Sequence, residues 1–127
     1  MLTEDYCNFE VAQLLKEKGF NWNTDKQYYL DKIVGDYNIT DRSRNPERYL
    51  DAPTLQMAMK WLREVHHIFI DIVSRFSMNA DKDVCFSYSC KKLTETYKSS
   101  YEYGDGEWLS YEEACEAAIK YCLENLI

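Results

Sequence analysis

Two adjacent histidines, His66-His67, are the first place in this 127-residue chain to look for chemistry. An imidazole titrates near neutral pH, so it can act as a general base or a metal ligand. Either task needs partners converging on the ring, and the chain contains no HExxH and no CxxC. His66 falls on the apolar side of a helical pattern and His67 at its polar edge, which reads as a helix end whose histidines meet the last carbonyls. Cys115 and Cys122 lie seven apart on one helical face, as core-facing small residues first and a redox pair second. Cys85 and Cys90 have opposite parity in an alternating segment and point to opposite faces of a strand. A cysteine–histidine nucleophile draws on partners distant in sequence, and no local signature marks one here. Glu4-Asp5 lies near the start of the chain, Glu112 suits the first turn of a helix, and Glu113 is a cap partner. Arg42, Arg44 and Arg48 have the fork geometry for phosphate or carboxylate. They alternate with Asp41, Asn45 and Glu47, as a solvated loop does. With four glycines there is no GxGxxG and no phosphate loop, so no cofactor or metal spacing is visible.

The elements that would position these residues centre on PTLQMAMKWLREVHHIFIDIVSRF, from Pro53 to Phe76. Leu55, Ala58, Met59, Leu62, Val65 and His66 share one helical face with Trp61 on its border, and Pro53 suits the first turn. After His67 the period falls from 3.6 to 2. Ile68, Ile70 and Ile72 then point one way, and Phe69, Asp71, Val73 and Arg75 the other. Upstream, Asn8 caps a helix over FEVAQLLKEK, and Gly19 takes the left-handed position after it. Phe20 and Trp22 fold back over its end. QYYLDKIV, residues 27–34, reads as a strand, and Asp36 to Asp51 as an irregular surface loop. After a connection at Ser77–Asp83, VCFSYSC alternates, and a further strand lies within Thr94 to Tyr103, ended by the turn Gly104-Asp105-Gly106. Ser110 and Glu113 form a capping box for a last helix with the stripe Tyr111, Cys115, Ala118, Ile119, Cys122 and Leu126. The expected fold is a single α+β domain over 1–127, three helices on one antiparallel sheet of three to four strands, in the order α-β-α-β-β-β-α.

Composition narrows the function classes. A 46% hydrophobic and 15% aromatic chain can bury a core without staples. The net charge of −7 argues against duplex nucleic acid and anionic membrane as partners. The opening Met1-Leu2-Thr3-Glu4-Asp5 is acidic at once, no apolar run approaches the ~20 residues of a membrane span, and the five cysteines have no framework spacing. These features point to a cytoplasmic protein with reduced thiols.

From Pro53 onward the layout of helix, three strands and helix resembles a double-stranded-RNA-binding domain, and SYEEACEAAIKYCLENL looks like that fold's last helix. In that family the helix opens with lysines that contact phosphate. Here those positions hold Tyr111, Glu112 and Glu113, so the resemblance implies the layout without the RNA contacts. The segments EVAQLLKEKGF, APTLQMAMKWLREVH and SYEEACEAAIKYCLENLI are similar as a set to small uncharacterised proteins of gut Bacteroides and their phages or mobile elements. That resemblance implies a cytoplasmic accessory protein and no particular activity. It does not extend over Asn23 to Leu50.

Eleven tyrosines are the compositional oddity. Tyrosine suits half-exposed strands, and it is also enriched at interfaces. With helices over the Ile68, Ile70, Ile72 face, Phe69, Val73, Tyr97, Tyr101 and Tyr103 form a candidate interaction face on the other side. Three functions follow from these readings. The first is a non-catalytic module binding a protein partner or a second copy. The second is a small hydrolase or transferase using His66 or His67. The third is an acidic inhibitor or mimic that occupies a nucleic-acid-binding partner.

Overall fold

Asn8 starts the first helix as its sequence requires. In the computed structural model its side-chain oxygen accepts from the Val11 amide at 2.9 Å, and α1 runs Phe9–Glu17. Gly19 ends the helix with φ +98°, and two bonds satisfy its last carbonyls. The Phe20 amide donates to Leu15 O at 2.9 Å and the Gly19 amide to Lys16 O at 3.1 Å. That pattern needs a left-handed residue after the cap, which glycine adopts without steric cost. Phe20 is buried and lies 6.2 Å from Trp22, as the sequence predicts for the chain folding back.

The structure describes residues 5–30, 39–41, 48–76, 84–93, 99–103 and 108–127. Packing divides the chain into two compact units, Met1–Ala58 and Met59–Ile127, with the boundary inside the second helix.

In the first unit, β1 (Lys26–Tyr29) is the middle strand of an antiparallel sheet between β2 (Ile39–Asp41) and β3 (Tyr49–Ala52). Helix α1 packs on β3, with Val11, Ala12 and Leu15 buried. Tyr28, paired with Leu50, meets Phe9 edge-on at 5.6 Å, and its hydroxyl donates to Cys7 O at 2.6 Å. On the opposite parity, buried Gln27 pairs with Asp51 and donates to its Oδ1 at 2.9 Å. Thr24, also buried, donates to Lys26 O at 2.8 Å and reaches the same carboxylate at 3.1 Å. Both buried polar side chains are thus satisfied, as burial requires.

Two expectations change in this unit. The strand is Lys26–Tyr29 rather than 27–34, with residues 31–38 outside the described part. The supposed loop from Asp36 to Asp51 contains β2 and most of β3. Strands of three and four residues carry one alternation each, too little for a period to show. Their partner β1 decides them, because each flank supplies the hydrogen bonds its backbone lacks. The sheet count changes with this: two three-stranded sheets replace the expected single one, and the order becomes α-β-β-β-α-β-β-β-α. The α+β class and antiparallel pairing are as expected.

Helix α2 runs Leu55–His66, capped by Thr54, whose hydroxyl accepts from the Met57 amide at 3.1 Å. Pro53 therefore precedes the cap and is buried there, its carbonyl accepting from the Cys7 amide at 2.9 Å. Leu55, Ala58, Met59, Trp61 and Leu62 are buried. Val65, in the same arc, is 47% exposed, because periodicity gives the direction of a side chain and not what lies over it.

In the second unit, β4 (Ile68–Phe76), β5 (Val84–Leu93) and β6 (Ser99–Tyr103) form the sheet β4-β5-β6. Helix α3 (Tyr111–Asn125) packs on β5 and β4. Its cap is the expected one, with Ser110 Oγ accepting from the Glu113 amide at 3.1 Å. Ala114, Cys115, Ala118, Ile119, Cys122 and Leu123 are its buried residues. The expected stripe loses Tyr111, which is 39% exposed, and Leu126, which is the half-buried cap residue beyond the helix, and gains Ala114 and Leu123. The expected turn at 104–106 and the connection at 77–83 lie outside the described part, as do residues 94–98, and Trp108 bridges to Phe86 in both directions.

Candidate functional site

The register of the second sheet sorts its side chains into two faces. Directly opposed residues share a face in an antiparallel pair. Ile68, Ile70 and Ile72 stand opposite Lys92, Cys90 and Tyr88. That face carries α3: Tyr88 lies 6.2 Å from Tyr121 and 5.2 Å from Trp108, Phe86 meets Tyr111 edge-on at 6.3 Å, and Cys90 touches Cys122. On the other face Phe69 opposes Lys91, which opposes Tyr101; Asp71 opposes Ser89, which opposes Tyr103; and Val73 opposes Ser87. Of the candidate interface residues, Phe69 and Val73 therefore share a face opposite the one α3 covers, and the backbone positions of Tyr101 and Tyr103 pair with Lys91 and Ser89. Tyr97 lies outside the described residues. Val73 is 49% exposed and Phe69 is half-buried, while Cys85, of the same parity, is fully buried.

The histidine pair sits where α2 turns into β4. His67 occupies the left-handed region at φ 58°, so one residue ends the helix and starts the strand. A non-glycine residue held there costs about 1–3 kcal/mol, which surrounding structure must supply. Part of that support is visible: the Leu93 amide donates to His67 O at 2.9 Å, tying the turn to the end of β5. The ring of His67 is exposed. His66 is half-buried and stacks edge-on against Trp61, with ring centroids 4.7 Å apart. Its Nε2 is buried and has no hydrogen-bond partner among the described residues. Burial, then the Lys92 cation, then His67, hold its pKa below the ordinary 6.5. Lys92 itself donates to Leu126 O at 2.7 Å and so closes the C-terminus of α3. His66 is thus a neutral ring between an indole and a cation rather than one paired with a carboxylate. The contact the structure shows for this pair is the edge-on meeting of His66 with Trp61.

All five cysteines are unbridged and buried. Cys122 donates to Cys90 at 3.4 Å, across the α3–β5 contact. That hydrogen bond, and then burial, keep the Cys122 thiol far above the ordinary range. Burial pushes Cys115 up to about 11, against a hydrogen bond from Tyr111 that lowers it. A nucleophile or metal ligand must be a thiolate, and both environments hold the thiol protonated. Among the described residues no three His, Cys, Asp or Glu side chains come together.

The Cys90–Cys122 contact has no signal in the sequence beyond the apolar face assigned to each residue. Neither have the Trp61–His66 stack and the Thr24, Gln27 and Asp51 cluster. Each depends on which elements pack together.

No protein-family model matches the chain, and neither a curated protein nor a solved structure matches it.

Proposed function

We propose that this chain is a non-catalytic protein-interaction module of the cytoplasm, which binds through the face of β4-β5-β6 opposite α3. The observation that carries the reading is the register. It sets Phe69 and Val73 on one face, with Val73 about half exposed, and pairs Tyr101 and Tyr103 with the β5 residues opposite that face's positions on β4. Aromatic and aliphatic side chains on a sheet face can form the apolar centre of an interface, and Lys91 and Asp71 supply polar contacts around it. The protonated thiols of Cys115 and Cys122 support the non-catalytic side of the proposal, as each is held in its less reactive form. The cytoplasmic assignment rests on five buried, unbridged cysteines. Among the described residues no helix is long and apolar enough to cross a membrane.

The test is the double variant Phe69→Ser with Tyr101→Ser, compared with wild type by light scattering and by recovery of bound protein from the native host. Both proteins should show the same circular dichroism, and the variant should lose association. Equal association by the folded variant overturns the proposal.

A further inference from the structure

The outer edge of β4 is the longest unpaired strand edge in the described structure. β4 runs nine residues with β5 on one side, and among the described residues no strand pairs with its other side. The other outer strands are shorter: β2 has three residues, β3 four and β6 five. Exposed edges present unpaired N–H and C=O groups to any extended chain. Proteins that must stay apart blunt them with proline, charged side chains (lysine above all), bulges or short length. Of these, IFIDIVSRF carries only two charges, Asp71 and Arg75. It contains no proline and no lysine, and its register with β5 is unbroken from Ile68↔Lys92 to Phe76↔Val84. Six of its nine residues are isoleucine, valine or phenylalanine, types that favour strands, and Phe76 is 69% exposed.

The strand's charges select its occupant. A second copy can pair antiparallel with β4 about a two-fold axis normal to the sheet, which keeps α3 of both copies on one face. Such an axis passes through a single residue. Centred on Asp71 it would oppose that carboxylate to itself, and centred on Arg75 it would oppose two arginines. Centred on Val73, it sets Asp71 opposite Arg75 of the second copy, twice. Opposite charges directly across a strand pair stabilise it and like charges do the reverse. The same centre places half-exposed Val73 against its own copy. On the α3 face it sets the exposed Phe76 opposite Ile70 of the second copy. We propose that β4 pairs with β4 of a second copy about Val73, joining two three-stranded sheets into one of six strands. This deepens the interaction reading by naming a partner and an edge for the same sheet.

Light scattering of the full chain over a concentration series should show a species of twice 15.1 kDa. Asp71→Arg alone, or Arg75→Asp alone, should raise the dimer dissociation constant by about tenfold, since each turns two attractive pairs repulsive. The two single variants mixed together should recover the dimer, because their edges are complementary. The double exchange, Asp71→Arg with Arg75→Asp, should also restore it. A single variant that unfolds leaves the double exchange as the deciding comparison. A wild type that stays monomeric overturns the inference, as does a dimer indifferent to the single variants, or one not rescued by mixing or by the double exchange. Should association respond to Phe69→Ser with Tyr101→Ser and not to the charge variants, the edge pairing fails while the face reading stands. The reverse result removes the face reading and keeps the edge.

Discussion

His66 is the residue whose environment has the most direct consequence in solution. Its ring lies against Trp61, and burial followed by the Lys92 charge disfavours the imidazolium. A base whose folded pKa is depressed favours folding while it is neutral. The unfolded chain takes up its proton near the ordinary value of 6.5, before the folded protein does. Stability should therefore be full above that pH and fall as pH drops from 6.5 toward the lower folded value. Urea melts of wild type and His66→Gln across this range would show it: the variant should lose that part of the pH dependence. Parallel pH profiles for the two proteins would mean the ring is not desolvated. The proton equilibrium is a property of the assembled α2–β4 junction, because Lys92 comes from β5.

At the scale of elements, α2 separates direction from coverage. Leu62 is fully buried and Val65 is 47% exposed, although the helical period sets both on one side. Leu62→Ala should cost about 2–5 kcal/mol, the usual range for a buried leucine. Val65→Ala should stay within about 0.5 kcal/mol, as surface changes do. Urea denaturation of the two variants measures the contrast, and equal losses would place Val65 in the core. The helix termini behave differently, since their causes are local. Asn8, Thr54 and Ser110 each accept a backbone N–H within their own first turn, and Gly19 closes α1 through φ +98°.

At the scale of the whole molecule, charge sets what the layout of the second unit can do. Helix, three antiparallel strands and helix follow one another there, and Glu112 and Glu113 occupy the first turn of α3, both exposed. With a net charge of −7 there is little counterion release to drive binding to phosphates. Gel-shift titration with duplex RNA should show no complex at moderate salt. Micromolar binding with a steep salt dependence would mean that basic residues converge where the sequence does not show them.

Sequence alone determined what depends on neighbours within a turn or two. The caps of α1 and α3, the switch of period after His67, the parity that sends Cys85 and Cys90 to opposite faces, and the gathering of Phe69 with Val73 are all of this kind. Each follows from hydrogen bonds or side-chain directions fixed over a few residues. Tertiary structure decided what depends on partners far along the chain. It made β2 and β3 strands, because β1 needed hydrogen bonds on both sides. It brought Cys122 to Cys90, 32 residues away, and Lys92 to the end of α3, 34 residues away. It also left Val65 bare and the long edge of β4 unpaired among the described residues. Coverage and pairing are long-range, and no period within one segment reports them.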